Sequence, residues 1–147
     1  MNYFDTLNSP KDAELAYAKW YENLPTERKA KMMCDFYQFG FESIKYNYLK
    51  IQPYACHEEI KLEFVRATQK EAYSEEVFAF IEKTFQERAE KEWQERFKKM
   101  KKDLEWSYED MANFMGASNG PSVKASINRR LPAFAKLAVC IFEKLNK

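Results

Sequence analysis

A chain of 147 residues is long enough to bury a core and fits one compact domain, or a small domain with an appendage. Aromatics make up 16 % of it while Gly (3) and Pro (5) are scarce, which argues against an all-β architecture, whose turns need residues of positive φ. The formal charge of +1 conceals an asymmetry: residues 1–96 hold 14 Lys/Arg against 18 Asp/Glu, and residues 97–147 hold 10 against 5. An acidic body joined to a basic C-terminal third is expected if that third faces an anion such as nucleic acid, although clustering on a solvated surface gives the same count.

The expected fold is all-α. Ser9-Pro10 is a helix start, with Ser9 as N-cap and Pro10 in the first turn. Ala13, Ala16, Tyr17, Trp20, Tyr21 and Leu24 then share a face before Pro25. From Pro25-Thr26-Glu27 a second helix carries Ala30, Met33, Phe36, Tyr37, Gly40, Ile44, Tyr48 and Ile51 at helical spacing as far as Pro53. Phe39, Phe41 and Tyr46 fall off that stripe, so a central helix, apolar on more than one side, is expected. Cys56 to about Lys70 makes a shorter helix with Ile60, Phe64, Val65 and Thr68 inward.

Ser74 opens a long helix with a narrow seam of Ile81, Phe85, Ala89, Trp93, Phe97, Met100 and Leu104. Glu87/Lys91, Glu92/Arg96 and Glu95/Lys99 are i,i+4 pairs in the favourable order, each worth about 0.3–0.5 kcal/mol. A narrow seam with charge around it implies contact with one partner only, as in a strut or a dimerising helix.

Ser107-Tyr108-Glu109-Asp110 is a start like a capping box, followed by Met111, Ala112, Phe114 and Met115 as a buried face. Ala112 allows a close helix crossing, and Gly116 supplies the left-handed conformation that ends the helix. Asn119 caps a second short helix with Pro121 in its first turn, Val123 and Ile127 inward, and an end near Arg130. After Leu131-Pro132 a last helix runs to the terminus with Phe134, Leu137, Ala138, Ile141 and Leu145 along one side. The organisation expected is an N-terminal helical domain over 1–73, a long connecting helix over 74–103 and a C-terminal domain over 104–147.

The run Ser107-Tyr108-Glu109-Asp110-Met111-Ala112-Asn113-Phe114-Met115-Gly116, with Arg129-Arg130-Leu131-Pro132 leading into the last helix, resembles the phage-repressor/Cro type of helix-turn-helix. The likeness is confined to residues 104–145. In the family the first inward residue of the second helix lies six after the glycine. Here Val123 comes seven after, so the turn is one residue longer, and Ile127 follows by four where three is usual.

The resemblance implies a lambda-repressor-like domain whose second helix enters the major groove of double-stranded DNA, acting as a homodimer on two half-sites. Asn pairs with adenine, Lys with guanine and Ser with either. The candidate DNA-contacting residues are Ser107, Asn119, Ser122, Lys124, Asn128, Arg129 and Arg130, with Ala125 on the same face. Lys98, Lys99, Lys101 and Lys102 add phosphate attraction, or simply answer the dipole of the long helix.

No other constellation carries chemistry. His57 is the only histidine and adjoins Cys56, but neighbouring helical positions do not face each other, so they form no nucleophile–base pair. Cys34, Cys56 and Cys140 are widely spaced and read as small core residues of a reducing compartment; no metal, cofactor or enzymatic activity is expected. The carboxylates of the body read as a solvated surface, there is no Gly-rich phosphate loop, and the aromatics over 36–54 read as core in preference to a stacking platform. The start MNYFDTLNSPKDAE has no apolar signal core, and no apolar run approaches the roughly 18 residues of a membrane span, so a cytoplasmic protein is expected. Two functions stand: a DNA-binding transcriptional or antitoxin-like regulator with a partner at its N-terminal bundle, or a protein-interaction module whose helix-turn-helix shape no longer reads DNA.

Overall fold

A computed structural model describes residues 10–146. Among them the fold is all-α, with no strand: α1 (Pro10–Glu22), α2 (Thr26–Ile51), α3 (His57–Gln69), α4 (Glu75–Asp103), α5 (Tyr108–Met115), α6 (Gly120–Arg129) and α7 (Ala133–Leu145), with a 3-10 turn at Lys70–Ala72. The expected Ser9 cap lies outside the described residues. None of the helices is long and apolar enough to cross a membrane. The chain divides within α2 into two compact units, residues 1–43 and 44–147, whereas the boundaries read at 73/74 and 103/104 fall between helices.

In the first unit Ala16 is buried, Tyr17 lies against Trp20 and Tyr21, and the Lys29 ammonium donates to the Glu22 carbonyl. The expectation of a central α2 is overturned: none of its residues is buried, and Met33, Phe36, Tyr37, Phe39 and Tyr46 are exposed. The aromatics over 36–54 are therefore largely surface, and Cys34 is exposed instead of lying in a core. Helical periodicity shows that apolar side chains share a face, but not that anything covers it.

The core lies in the second unit. Trp93 and Phe97 of α4 meet Met111 and Ala112 of α5, Val123 and Ile127 of α6, and Ala135, Val139 and Cys140 of α7, with Cys56 ahead of α3. The seam of α4 is confirmed at Ala89, Trp93, Phe97 and Met100, while Leu104 is exposed and Phe78 is buried in addition. The helix is not a one-partner strut, since α3 and α7 both pack on it.

Its charges serve tertiary contacts. Glu92 accepts from the backbone N–H groups of His57 (3.0 Å) and Glu58 (3.0 Å), placing a carboxylate at the positive end of α3. Arg96 forks onto Glu143 of α7 at 2.8 and 2.5 Å, and Glu95 pairs with Lys98, so Glu92/Arg96 and Glu95/Lys99 are not the ion pairs formed. The lone histidine, His57, sits exposed in the first turn of α3.

The buried stripe of α7 differs most from expectation. Ala135, Val139 and Cys140 face the core, whereas Phe134, Leu137, Ala138, Ile141 and Leu145 lie on the exposed side. Both faces of this helix are apolar, and the smaller side chains take the inward face. There they allow close approach to the bulky Trp93 and Phe97.

Candidate nucleic-acid interface

The α5–α6 pair is built from local rules. Ser107 begins α5 with a reciprocal box: its Oγ accepts from the Asp110 N–H at 3.1 Å, and its own N–H donates to the Asp110 carboxylate at 2.8 Å. The Ser107 hydroxyl also donates to that carboxylate, and these bonds hold the Asp110 carboxyl below the usual carboxylate range. Gly116 ends α5 at φ 65° and ψ 27°, a left-handed conformation that glycine adopts without a Cβ penalty. Three residues later Asn119 starts α6, its Oδ1 accepting from the Ser122 N–H at 2.8 Å.

The second helix is fastened at both ends. At its start the Gly120 N–H donates to the Glu109 carboxylate at 2.9 Å, and the two helices are so close that a Cβ on Gly120 would lie 3.0 Å from the Glu109 backbone nitrogen. At its end the Gln94 amide of α4 donates to the Asn128 carbonyl at 3.1 Å. Glu90 of α4 accepts from the Leu131 N–H and lies 3.7 Å from the Lys136 ammonium, fixing the link into α7. Between these anchors Val123 and Ile127 are buried. Such a helix presents its remaining face with little freedom to rotate.

That face carries Ser122, Lys124, Ala125, Asn128 and Arg129, all exposed, with Arg130 exposed just beyond. No Asp or Glu occurs between Asp110 and Glu143, a span holding Lys124, Arg129, Arg130 and Lys136. Arg129 and Arg130 line a cleft of about 510 Å³ beside α4 together with Lys83 and Lys136; the carboxylates of Glu59, Glu87 and Glu90 line it as well. Two of those acids have internal partners. Glu59 accepts from the Cys56 N–H and the Trp93 indole, and Glu90 from Leu131.

Of the residues expected to meet DNA, the structure thus gathers Ser122, Lys124, Asn128 and Arg129 on one helix face, with Arg130 at its end. Ser107 and Asn119 are exposed too, but their side-chain oxygens are engaged in the caps of α5 and α6. In the lysine run, Lys98 pairs with Glu95 at 3.2 Å, and Lys101 donates to the Trp106 carbonyl at 3.1 Å while lying over the Tyr108 ring. Sequence reasoning missed Glu109, Gln94 and Glu90, the residues that mount α6. Glu109 had a signal, since it lies within the first turn of α5 two residues past the cap; the other two sit on α4 with nothing local to mark them.

Phe114 and Met115, expected in the buried face of α5, are exposed instead. They join Phe97, Met100, Leu104, Trp106 and the outer side of α7 around an almost wholly apolar groove of about 480 Å³. Eight residues give α5 little more than two turns. Met111 and Ala112 alone reach the core, and a third and fourth apolar residue have no inward place.

Among the described residues no group of His, Cys, Asp and Glu is placed to hold a metal ion. Burial pushes the Cys56 thiol up to about 12, and burial also raises the Cys140 thiol. Neither has the stabilised thiolate that a nucleophile needs. No protein-family model matches the chain, and no curated protein or solved structure matches it either.

Proposed function

We propose that this chain is a non-enzymatic, DNA-binding regulator that inserts α6 into the major groove as a helix-turn-helix. The observation that carries this reading is the outward face of α6. It holds Ser122, Lys124, Asn128 and Arg129 without a carboxylate, on a helix anchored at both ends by Glu109, Gln94 and Glu90. Ser122 and Lys124 in the first half of such a helix, and Asn128 toward its end, can meet base edges, while Arg129 and Arg130 reach the phosphate backbone. Ser107 and Asn119 act here through the caps that set the angle between the two helices. A homodimer would bring two such helices to half-sites about one helical turn apart, roughly 34 Å.

Fluorescence anisotropy with mixed-sequence duplex DNA tests the reading. Association should weaken as salt rises, with a log–log slope of several units, since each neutralised phosphate contributes about 0.9. Absence of binding even near ~50 mM salt, where phosphate contacts are strongest, rejects it.

A second reading is favoured by a different observation, the apolar groove bounded by Phe114, Phe134 and Leu145. An exposed apolar surface of this kind marks an interaction site. On that reading the α5–α6 unit serves protein contact alone, and the anisotropy experiment stays flat at every salt concentration.

A further inference from the structure

The groove between α4, α5 and α7 is lined by Phe97, Met100 and Met111 at its floor and by exposed Phe114, Phe134 and Leu145 at its edges. Phe114 and Leu145 are each 80 % exposed, an unusual position for side chains of this size beside a well-formed core. From the exposed fractions of Leu104, Trp106, Phe114, Met115, Phe134, Ile141 and Leu145, the exposed area of the residues around the groove, backbone included, amounts to roughly 700 Å². This exceeds the ~300–600 Å² of the largest patch on an ordinary monomer. It approaches the ~800 Å² that each partner contributes to a standard interface.

We infer that this face is where a second copy of the chain docks, related by a two-fold axis. The inference deepens the DNA-binding reading, on which two copies are needed, by naming the surface that joins them. Three observations select a second copy over an unrelated partner. First, an isologous contact needs a self-complementary patch, and the depression and the projecting Phe114 and Leu145 share one face. Second, the nearby charges are of both signs, with Lys101 lining the groove, Lys99 and Asp103 the adjoining hollow, and Arg96 and Glu143 there already paired with each other, so no block of one sign opposes a second copy. Third, the exposed area approaches the ~800 Å² that each partner contributes to a standard interface. The outward residues of α6 line no part of the groove, so docking here leaves them free.

Sedimentation of the full chain without DNA, over about a hundredfold range of protein concentration, reads the proposal directly. The wild type should be a dimer, and Phe114→Lys and Leu145→Lys should each raise its dissociation constant by about a hundredfold or more. Both sites are mostly exposed near helix C-termini, where a cation suits the dipole, so helicity by circular dichroism should be retained. Lys124→Glu should dimerise like wild type. A monomer at every concentration overturns the proposal, as does a dimer that neither lysine variant weakens. Because DNA is absent, failure here leaves the anisotropy experiment to judge DNA binding separately.

Discussion

The residues of α2 and those of α4–α7 carry similar proportions of apolar side chain, about half in each, yet they end in opposite states. Along 26 residues α2 has none fully buried and some, such as Ile44 and Tyr48, half-buried, while the C-terminal helices enclose Trp93, Phe97, Val139 and Cys140 almost completely. Periodicity is a property of one helix, and burial is a property of at least two. In the C-terminal unit, short helices joined by tight caps fold back on α4 and supply each other's second surface.

The largest effect expected from this contrast is in stability. Phe97→Ala removes a side chain that is 1 % exposed and should cost about 3–5 kcal/mol in denaturant unfolding. Phe36→Ala, at 65 % exposure, should change stability by no more than about 0.5 kcal/mol. Equal losses at the two sites would break the comparison.

A smaller effect belongs to the contact between α5 and α6. Gly120→Ala places a methyl group 2.4 Å from a Glu109 carboxylate oxygen and 3.0 Å from its backbone nitrogen, so the carboxylate that accepts from the residue 120 N–H must swing away and the helices must part by a few tenths of an ångström. A cost of about 1–3 kcal/mol is expected from thermal or urea unfolding. Ser107→Ala, which removes the cap of α5, should cost about 1 kcal/mol.

Thiol reactivity sharpens the contrast further. In the native chain at neutral pH a maleimide should label Cys34 quickly and leave Cys56 and Cys140 for the denatured state. Rapid labelling of all three thiols would contradict the packing described. Because burial raises the Cys56 thiol from 9.0 to about 12, the stability it contributes is intact below pH 9 and declines as pH climbs toward 12. Alkaline unfolding followed by circular dichroism should therefore begin above pH 9.

What the sequence disclosed, and what it withheld, follows from the range of each interaction. The caps at Ser74, Ser107 and Asn119 and the turn glycine Gly116 are decided within a few residues, and all four stand where the sequence placed them. Val123 and Ile127 were legible as the inward face of α6 because that helix has no other large apolar side chain. The inward face of α7 was not, because two apolar faces compete and only the shape of Trp93 and Phe97 decides between them. Likewise, Glu92 as the cap of α3 and Arg96 as the partner of Glu143 involve residues 34 to 47 positions apart, beyond any local pattern. The outward set on α6 was legible as a shared face, and Ser122, Lys124, Asn128 and Arg129 are all exposed there, whereas its supports on α4 had no local signal.

The central claim is that the outward face of α6 meets DNA, and a paired charge reversal tests it most directly. Salt-dependent anisotropy of the wild type should be compared with Lys124→Glu/Arg129→Glu and with Lys11→Glu/Lys19→Glu on α1, all four sites being exposed. The account predicts that the α6 pair abolishes binding or flattens the log–log salt slope by about 2, while the α1 pair leaves it nearly unchanged. Equal loss from both pairs, or unchanged affinity in the α6 pair, contradicts it.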